Sequence, residues 1–180
     1  MKDLDERIIQ ITLPQHPLFT EVVDGFDALQ SELLTASPGR QASLRSVLGM
    51  LTCTTSYLSV VMNDEQVPAG FVIGLALYEI ADRGLLEGTE MAGAVRRLGW
   101  DKLRQIYHFA AMRVKPEFRG HKLGSALMDK RIEMGRAGEY AYATTVTGNP
   151  VVMETYRKRL GKEIVNIPAY GGGNCLVFNL

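Results

Sequence analysis

The residues best suited to chemistry in this chain stand together between positions 112 and 127. They read Met112-Arg113-Val114-Lys115-Pro116-Glu117-Phe118-Arg119-Gly120-His121-Lys122-Leu123-Gly124-Ser125-Ala126-Leu127. A strand-like apolar run ends at Lys115-Pro116 and helical spacing begins at Leu123, so the segment reads as strand, loop and helix. The first amides of a helix have no carbonyl partner within it and lie at the positive end of its dipole, an arrangement that favours an anion. Gly120 and Gly124 allow a ligand to approach the main chain closely. Arg119, Lys122 and His121 add charge, and a diphosphate is the natural guest. The segment is neither a Gly-x-x-x-x-Gly-Lys-Ser/Thr phosphate loop nor a Gly-x-Gly-x-x-Gly dinucleotide fingerprint. On local physics alone, an ordinary strand-to-helix turn with a solvated basic patch describes it equally well.

Other reactive side chains are sparse. Cys53 and Cys175 have no metal-type spacing and build no disulfide framework. With His16, His108 and His121 as the three histidines, no metal is expected. Cys175 lies in a strand pattern and reads as a small buried hydrophobe. Arg157, Lys158 and Arg159 read as a solvated helix face, and Gly171 to Gly173 as a hairpin tip.

The elements that must position these residues follow from periodicity. Glu6 to Leu13 alternates and is a candidate strand, closed by Pro14 and Pro17. Leu18, Val22, Phe26, Leu29 and Leu33 recur at helical spacing, and Leu44, Val47, Leu48 and Leu51 suggest a second helix. Tyr57 to Met62 and Val67 to Ile80 read as a strand hairpin across the turn 63–66. An excursion follows over 81–104, with Thr89 capping a short helix that carries Met91, Val95 and Leu98 and stops at Gly99. Ile106 to Val114 is a strand, Leu123 to Gly135 a helix, Tyr140 to Val146 a strand and Val151 to Leu160 a helix after Gly148-Asn149-Pro150. Two last strands, Glu163 to Ile167 and Cys175 to Leu180, close the chain. Strands and helices interleave, which gives an α/β (α+β) domain with one mixed sheet covered by helices.

Composition agrees. One domain spanning 1–180, with an insertion at about 81–104, fits 180 residues of which 46% are apolar and 22% charged. Lys plus Arg and Asp plus Glu are both 20, so the formal net charge is zero, which weighs against a general nucleic-acid binder. Charge is uneven locally: the window from Arg113 to Arg136 holds seven basic and three acidic residues, a local +4. The N-terminus is too acidic for a signal peptide. The longest apolar run, Val67 to Tyr78, has 12 residues against the ~20 that span a bilayer. A soluble, cytoplasmic protein without a membrane partner is expected.

The pattern Val114-x-Pro116-x-Phe118-Arg119-Gly120-x-x-Leu123-Gly124-x-x-Leu127 resembles the acyl-CoA-binding motif of the GNAT superfamily of N-acetyltransferases, written Gln/Arg-x-x-Gly-x-Gly/Ala. Arg119 matches its first position and Gly124 its last, while Lys122 stands where the motif has glycine. Asn149, Val152 and Tyr156 resemble the family's Asn-x-x-Ala-x-x-x-Tyr segment, with Gly161 one residue later than usual and Lys162 in place of an aromatic. The resemblance covers about residues 57 to 180.

That resemblance implies a mostly antiparallel sheet of six or seven strands, with a splayed strand pair that receives the pantetheine arm. It implies acetyl-CoA, or another acyl-CoA, as co-substrate and an amine as acceptor. The amides of Arg113 and Val114 would bond the arm, and an amide near Met112 or Val114 would polarise the acyl carbonyl. Arg119, Gly120, His121, Lys122, Leu123, Gly124 and Ser125 would cradle the diphosphate, and Asn149 and Tyr156 from the second motif would also contact the cofactor. Tyr156 would protonate the departing thiolate. The family often places a glutamate on the strand before the loop, and Ile106 to Val114 has none. His108 and Glu79 are then the candidate bases, or no dedicated base exists. The excursion, with Trp100, would line an acceptor pocket or form a homodimer interface. Two other readings stand beside the enzyme: a non-catalytic acyl-CoA-binding or sensing protein of the same fold, and a phosphate- or nucleic-acid-binding module using the +4 window.

Overall fold

Apolar runs such as 57–62 and 69–76 make buried strands, and Thr89 and Asn149 cap two of the helices. A computed structural model describes residues 8–11, 53–63, 68–169 and 172–180. The two helices expected near the N-terminus, residues 64–67 at the hairpin turn and residues 170–171 at the tip lie outside the described residues. The strands are β1 (Ile8–Ile11), β2 (Tyr57–Met62), β3 (Pro68–Ala76), β4 (Ile106–Val114), β5 (Tyr142–Thr147), β6 (Val165–Ala169) and β7 (Gly173–Asn179). The helices are α1 (Leu77–Asp82), α2 (Glu90–Leu98), α3 (Leu123–Ala137) and α4 (Pro150–Leu160). Short 3₁₀ turns span Trp100–Gln105 and Pro116–Phe118. The sheet is mixed and mostly antiparallel, as the sequence implies.

The chain forms two compact units, and β3, β4 and α3 each run from one into the other. The first comprises 1–74 and 111–131, the second 75–110 and 132–180. In the first unit the strand order is β1-β2-β3-β4. β1 pairs antiparallel to β2, from Ile8 opposite Val61 to Ile11 opposite Leu58. β2 pairs antiparallel to β3 with a shift between Val61 and Met62, because Val61 faces Gly70 while Met62 faces Pro68. Ala69 is the extra residue, and an extra residue of this kind bends a strand and re-aims its neighbours. Every residue of β2 is buried, and α3 adds Leu123, Leu127 and Met128 to the buried set.

In the second unit the order is β4-β5-β7-β6. β4 and β5 are parallel, paired from Ile106 opposite Tyr142 to Phe109 opposite Thr145. β7 pairs antiparallel to β5 and to β6. Tyr156 of α4 stacks between Phe109 and Phe178, with ring centroids 5.7 and 5.6 Å away. Ala94 of α2 packs with Val165, Ile167, Cys175 and Val177, so the excursion helix covers apolar side chains of β6 and β7.

The sequence carries one strand too far. Val67 to Ile80 reads as continuous, but β3 ends at Ala76 and Leu77–Asp82 is helical. An unbroken apolar run has no period to separate strand from helix. Glu79, read as a strand-end residue, sits instead in the first turn of α1, where a carboxylate complements the helix dipole.

Candidate active site

The loop between β4 and α3 is built within the first unit. Lys115 follows β4 and its N–H donates to the Ala69 carbonyl at 2.9 Å. Pro116 starts a single 3₁₀ turn whose last amide, that of Arg119, returns to the Pro116 carbonyl. Arg119 then folds back, its Nε donating to the Val114 carbonyl at 3.3 Å. Gly120 has φ +85° and Lys122 φ +62°, with His121 between them outside the positive region. Alternation of hand along a loop turns successive N–H groups toward one side and makes an anion-binding concavity. The Lys122 carbonyl accepts from the Ala126 amide at 3.0 Å and so begins α3. Arg119, Gly120, His121 and Lys122 are exposed, Gly124 and Ser125 partly so, and Leu123 is buried as the anchor.

Lys122 occupies the position where the resembled motif has glycine, and the backbone there takes an angle natural to glycine. At Gly124 a Cβ would meet only Val114 Cγ2, at 3.7 Å, an ordinary contact. The fold leaves room for a side chain there.

Backbone direction at the end of β4 follows from two contacts. Lys115 N–H points at β3, and a Cβ built on Gly70 of β3 would lie 2.7 Å from the Arg113 carbonyl oxygen. Arg113 and Lys115 therefore face β3, so the Arg113 amide, expected to bond the arm, is turned away from the other edge. Because alternate residues of a strand direct their N–H groups to opposite edges, Met112 and Val114 present theirs on the other edge. β4 is buried over Ile106 to Phe109 and more open from Ala110 to Val114. Its parallel ladder ends at Phe109, whose carbonyl accepts a hydrogen bond from Thr145 Oγ1 at 3.3 Å.

The candidate proton-transfer groups belong to the second unit, and each is buried. His108, opposite Thr144 in the ladder, is 4% exposed, Glu79 8% and Tyr156 0%. Asn149 caps α4, its Oδ1 accepting from the amides of Val151 at 2.9 Å and Val152 at 3.4 Å, with Pro150 at the first helical position. Cys175 is fully buried and its thiol is pushed up to about 11, mainly by burial, so it stays protonated at neutral pH. Trp100 is half exposed, and no residue of its 3₁₀ turn is buried.

The structure thus gathers Met112 to Ser125 into one contiguous loop and edge. His108, Glu79, Asn149 and Tyr156 stand in the other unit. Gly70 and Thr145 were not singled out by sequence reasoning. The available signal for Gly70 was an isolated glycine inside a strand pattern, which marks a bulge or a close backbone approach. Among the described residues, no group of three or more His, Cys, Asp or Glu could hold a metal, and no helix is long and apolar enough to cross a membrane.

The sequence profile described as "Acetyltransferase (GNAT) family" matches residues 27–161. No curated protein matches by sequence. Solved structures of similar fold include a GCN5-related N-acetyltransferase from Kribbella flavida, 13% identical with a TM-score of 0.60, covering 98% of each chain. The ribosomal-protein-S18-alanine N-acetyltransferase from Escherichia coli is 12% identical with a TM-score of 0.60, over 96% of this chain and 92% of that one. A GNAT-family acetyltransferase from Staphylococcus aureus Mu50 is 15% identical with a TM-score of 0.58, over 96% and 99%.

Proposed function

The chain belongs to the GNAT acetyltransferase family, and from that premise we propose that it transfers an acyl group, acetyl first among them, from acyl-CoA to a primary amine by direct attack in a ternary complex. The observation that carries this reading is the loop from Arg119 to Ser125, where Gly120 and Lys122 both hold positive φ at the start of α3. In this reading the loop amides, with His121 and Lys122, hold the donor's diphosphate. The Met112 and Val114 N–H groups bond the arm and the acyl oxygen. Asn149 contributes by fixing the start of α4.

The amine nitrogen forms a bond to the thioester carbonyl carbon, the carbon–sulfur bond breaks, and the thiolate takes a proton. A free alkylamine has a pKa near 10.4, so few molecules are neutral at pH 7 and a proton acceptor helps. Oxyanion N–H donors contribute about 3 kcal/mol each to such a step. Tyr156 is the proposed donor to the thiolate, and His108 or Glu79 the proposed acceptor from the amine. Burial of all three favours a second reading, an acyl-CoA-binding protein without turnover.

Thermal unfolding with and without acetyl-CoA tests the donor site. A ligand of the native state at 100 times its Kd adds about 2.7 kcal/mol, or about 5 to 10 °C for a chain of this size. The shift is expected in the wild type and is lost in an Arg119→Ala, Gly124→Glu double variant that still unfolds cooperatively. Absence of a shift with acetyl-CoA and longer acyl-CoAs overturns the reading. Thiol release that depends on an added amine supports the enzyme, and tight binding without release supports the alternative.

A further inference from the structure

We propose that Gly70 of β3 is a positioning residue that sets the donor-facing edge of β4, an inference that rests on the donor site proposed above. Three observations converge on it. A Cβ at Gly70 would lie 2.7 Å from the Arg113 carbonyl oxygen and 3.2 Å from both Cα and Cγ2 of Val114. Two of these three atoms are main chain, which cannot rotate away as a side-chain tip would. The residue before it, Ala69, is the extra residue of the β2–β3 register shift and accepts the Lys115 N–H at 2.9 Å. The bulge and the missing side chain together let the Arg113–Val114 peptide settle against β3.

This matters because direction alternates along the strand. With Arg113 and Lys115 turned to β3, Met112 and Val114 carry their N–H groups to the opposite edge. A side chain at 70 pushes the Arg113 carbonyl off β3 and tilts the Val114 amide with it. Hydrogen bonds weaken steeply with misalignment, so the donor's arm loses partners while the loop from Arg119 to Ser125 keeps its own geometry.

The test compares two ligands on wild type and Gly70→Ala: acetyl-CoA, which has the arm, and adenosine 3′,5′-bisphosphate, the nucleotide end without it. The variant is expected to bind acetyl-CoA about tenfold more weakly, the effect of one lost hydrogen bond, and the nucleotide within about twofold of wild type. A purely structural injury weakens both alike, which overturns the proposal, as does unchanged acetyl-CoA binding. Failure of the wild type to bind acetyl-CoA overturns the donor reading itself, and this inference with it. If Gly70→Ala does not fold, amide hydrogen exchange on the wild type decides. The expected pattern is Lys115 and Arg113 protected with or without acetyl-CoA, and Met112 and Val114 protected only in its presence. Equal protection of all four in the free protein overturns the inference.

Discussion

Lys122 holds a backbone angle that glycine adopts without cost. A residue with a Cβ loses about 1 to 2 kcal/mol in that region, whereas glycine loses about 0.5 to 1 kcal/mol of chain entropy on folding. Lys122→Gly is therefore expected to stabilise the protein by about 0.5 kcal/mol and to retain acetyl-CoA binding, read by melting with and without ligand. A destabilised variant would contradict the strain argument. Glu163 is a second residue whose environment fixes its chemistry. Arg157 reaches it through Nε at 2.9 Å and Nη2 at 2.7 Å, Asn166 donates to it at 3.1 Å, and its carboxyl is held at about 2 against an ordinary 4.5. A depressed carboxyl stabilises the fold above its unfolded pKa and ceases to do so as pH falls through the folded one. Glu163→Gln should thus lower the melting temperature at pH 7 by about 2 to 4 °C, about 1 kcal/mol after allowance for the half-open Arg157 side. Near pH 2 the difference should shrink. A constant difference across that range would show that the ion pair is not its source.

Among the elements, α2 illustrates how local signals and packing combine. Thr89 Oγ1 accepts from the Ala92 amide at 3.3 Å, and Gly99 closes the helix with its N–H on the Val95 carbonyl at 2.7 Å. The cap and the stop were both legible from the spacing. Thr89→Ala should cost about 1 kcal/mol and leave acetyl-CoA affinity unchanged, since α2 packs on β6 and β7. Loss of ligand binding in a variant that still folds would assign the excursion a part in the donor site. The excursion buries Ala92, Ala94 and Val95 of α2 as core, which leaves its outer face open to either role, pocket wall or dimer surface. Periodicity predicts which side of a helix is apolar but not which strands receive it. The misread end of β3 has a similar origin: Phe71 to Leu77 are all buried, and a run buried all round bears no mark of where strand becomes helix.

For the whole molecule, net charge zero with a local +4 window separates donor binding from nucleic-acid binding. Phosphate neutralisation by a few cations is steeply salt-dependent, so duplex DNA or RNA is expected not to bind at about 150 mM salt, where acetyl-CoA still raises the melting temperature. Nucleic-acid binding that persists there would reopen the phosphate-module reading. The sequence by itself determined most described elements to within a few residues, because caps, prolines and apolar period act locally. It also determined the loop from Arg119 to Gly124, whose residue types and spacing are contiguous. The tertiary structure alone decided that Lys122 keeps a glycine-like angle, that Gly70 lies against the Arg113 carbonyl, and that Tyr156 is stacked between two phenylalanines. Each of these depends on which segments distant in the chain come to lie within van der Waals reach, or on backbone angles that the surrounding fold imposes, and no periodicity encodes either.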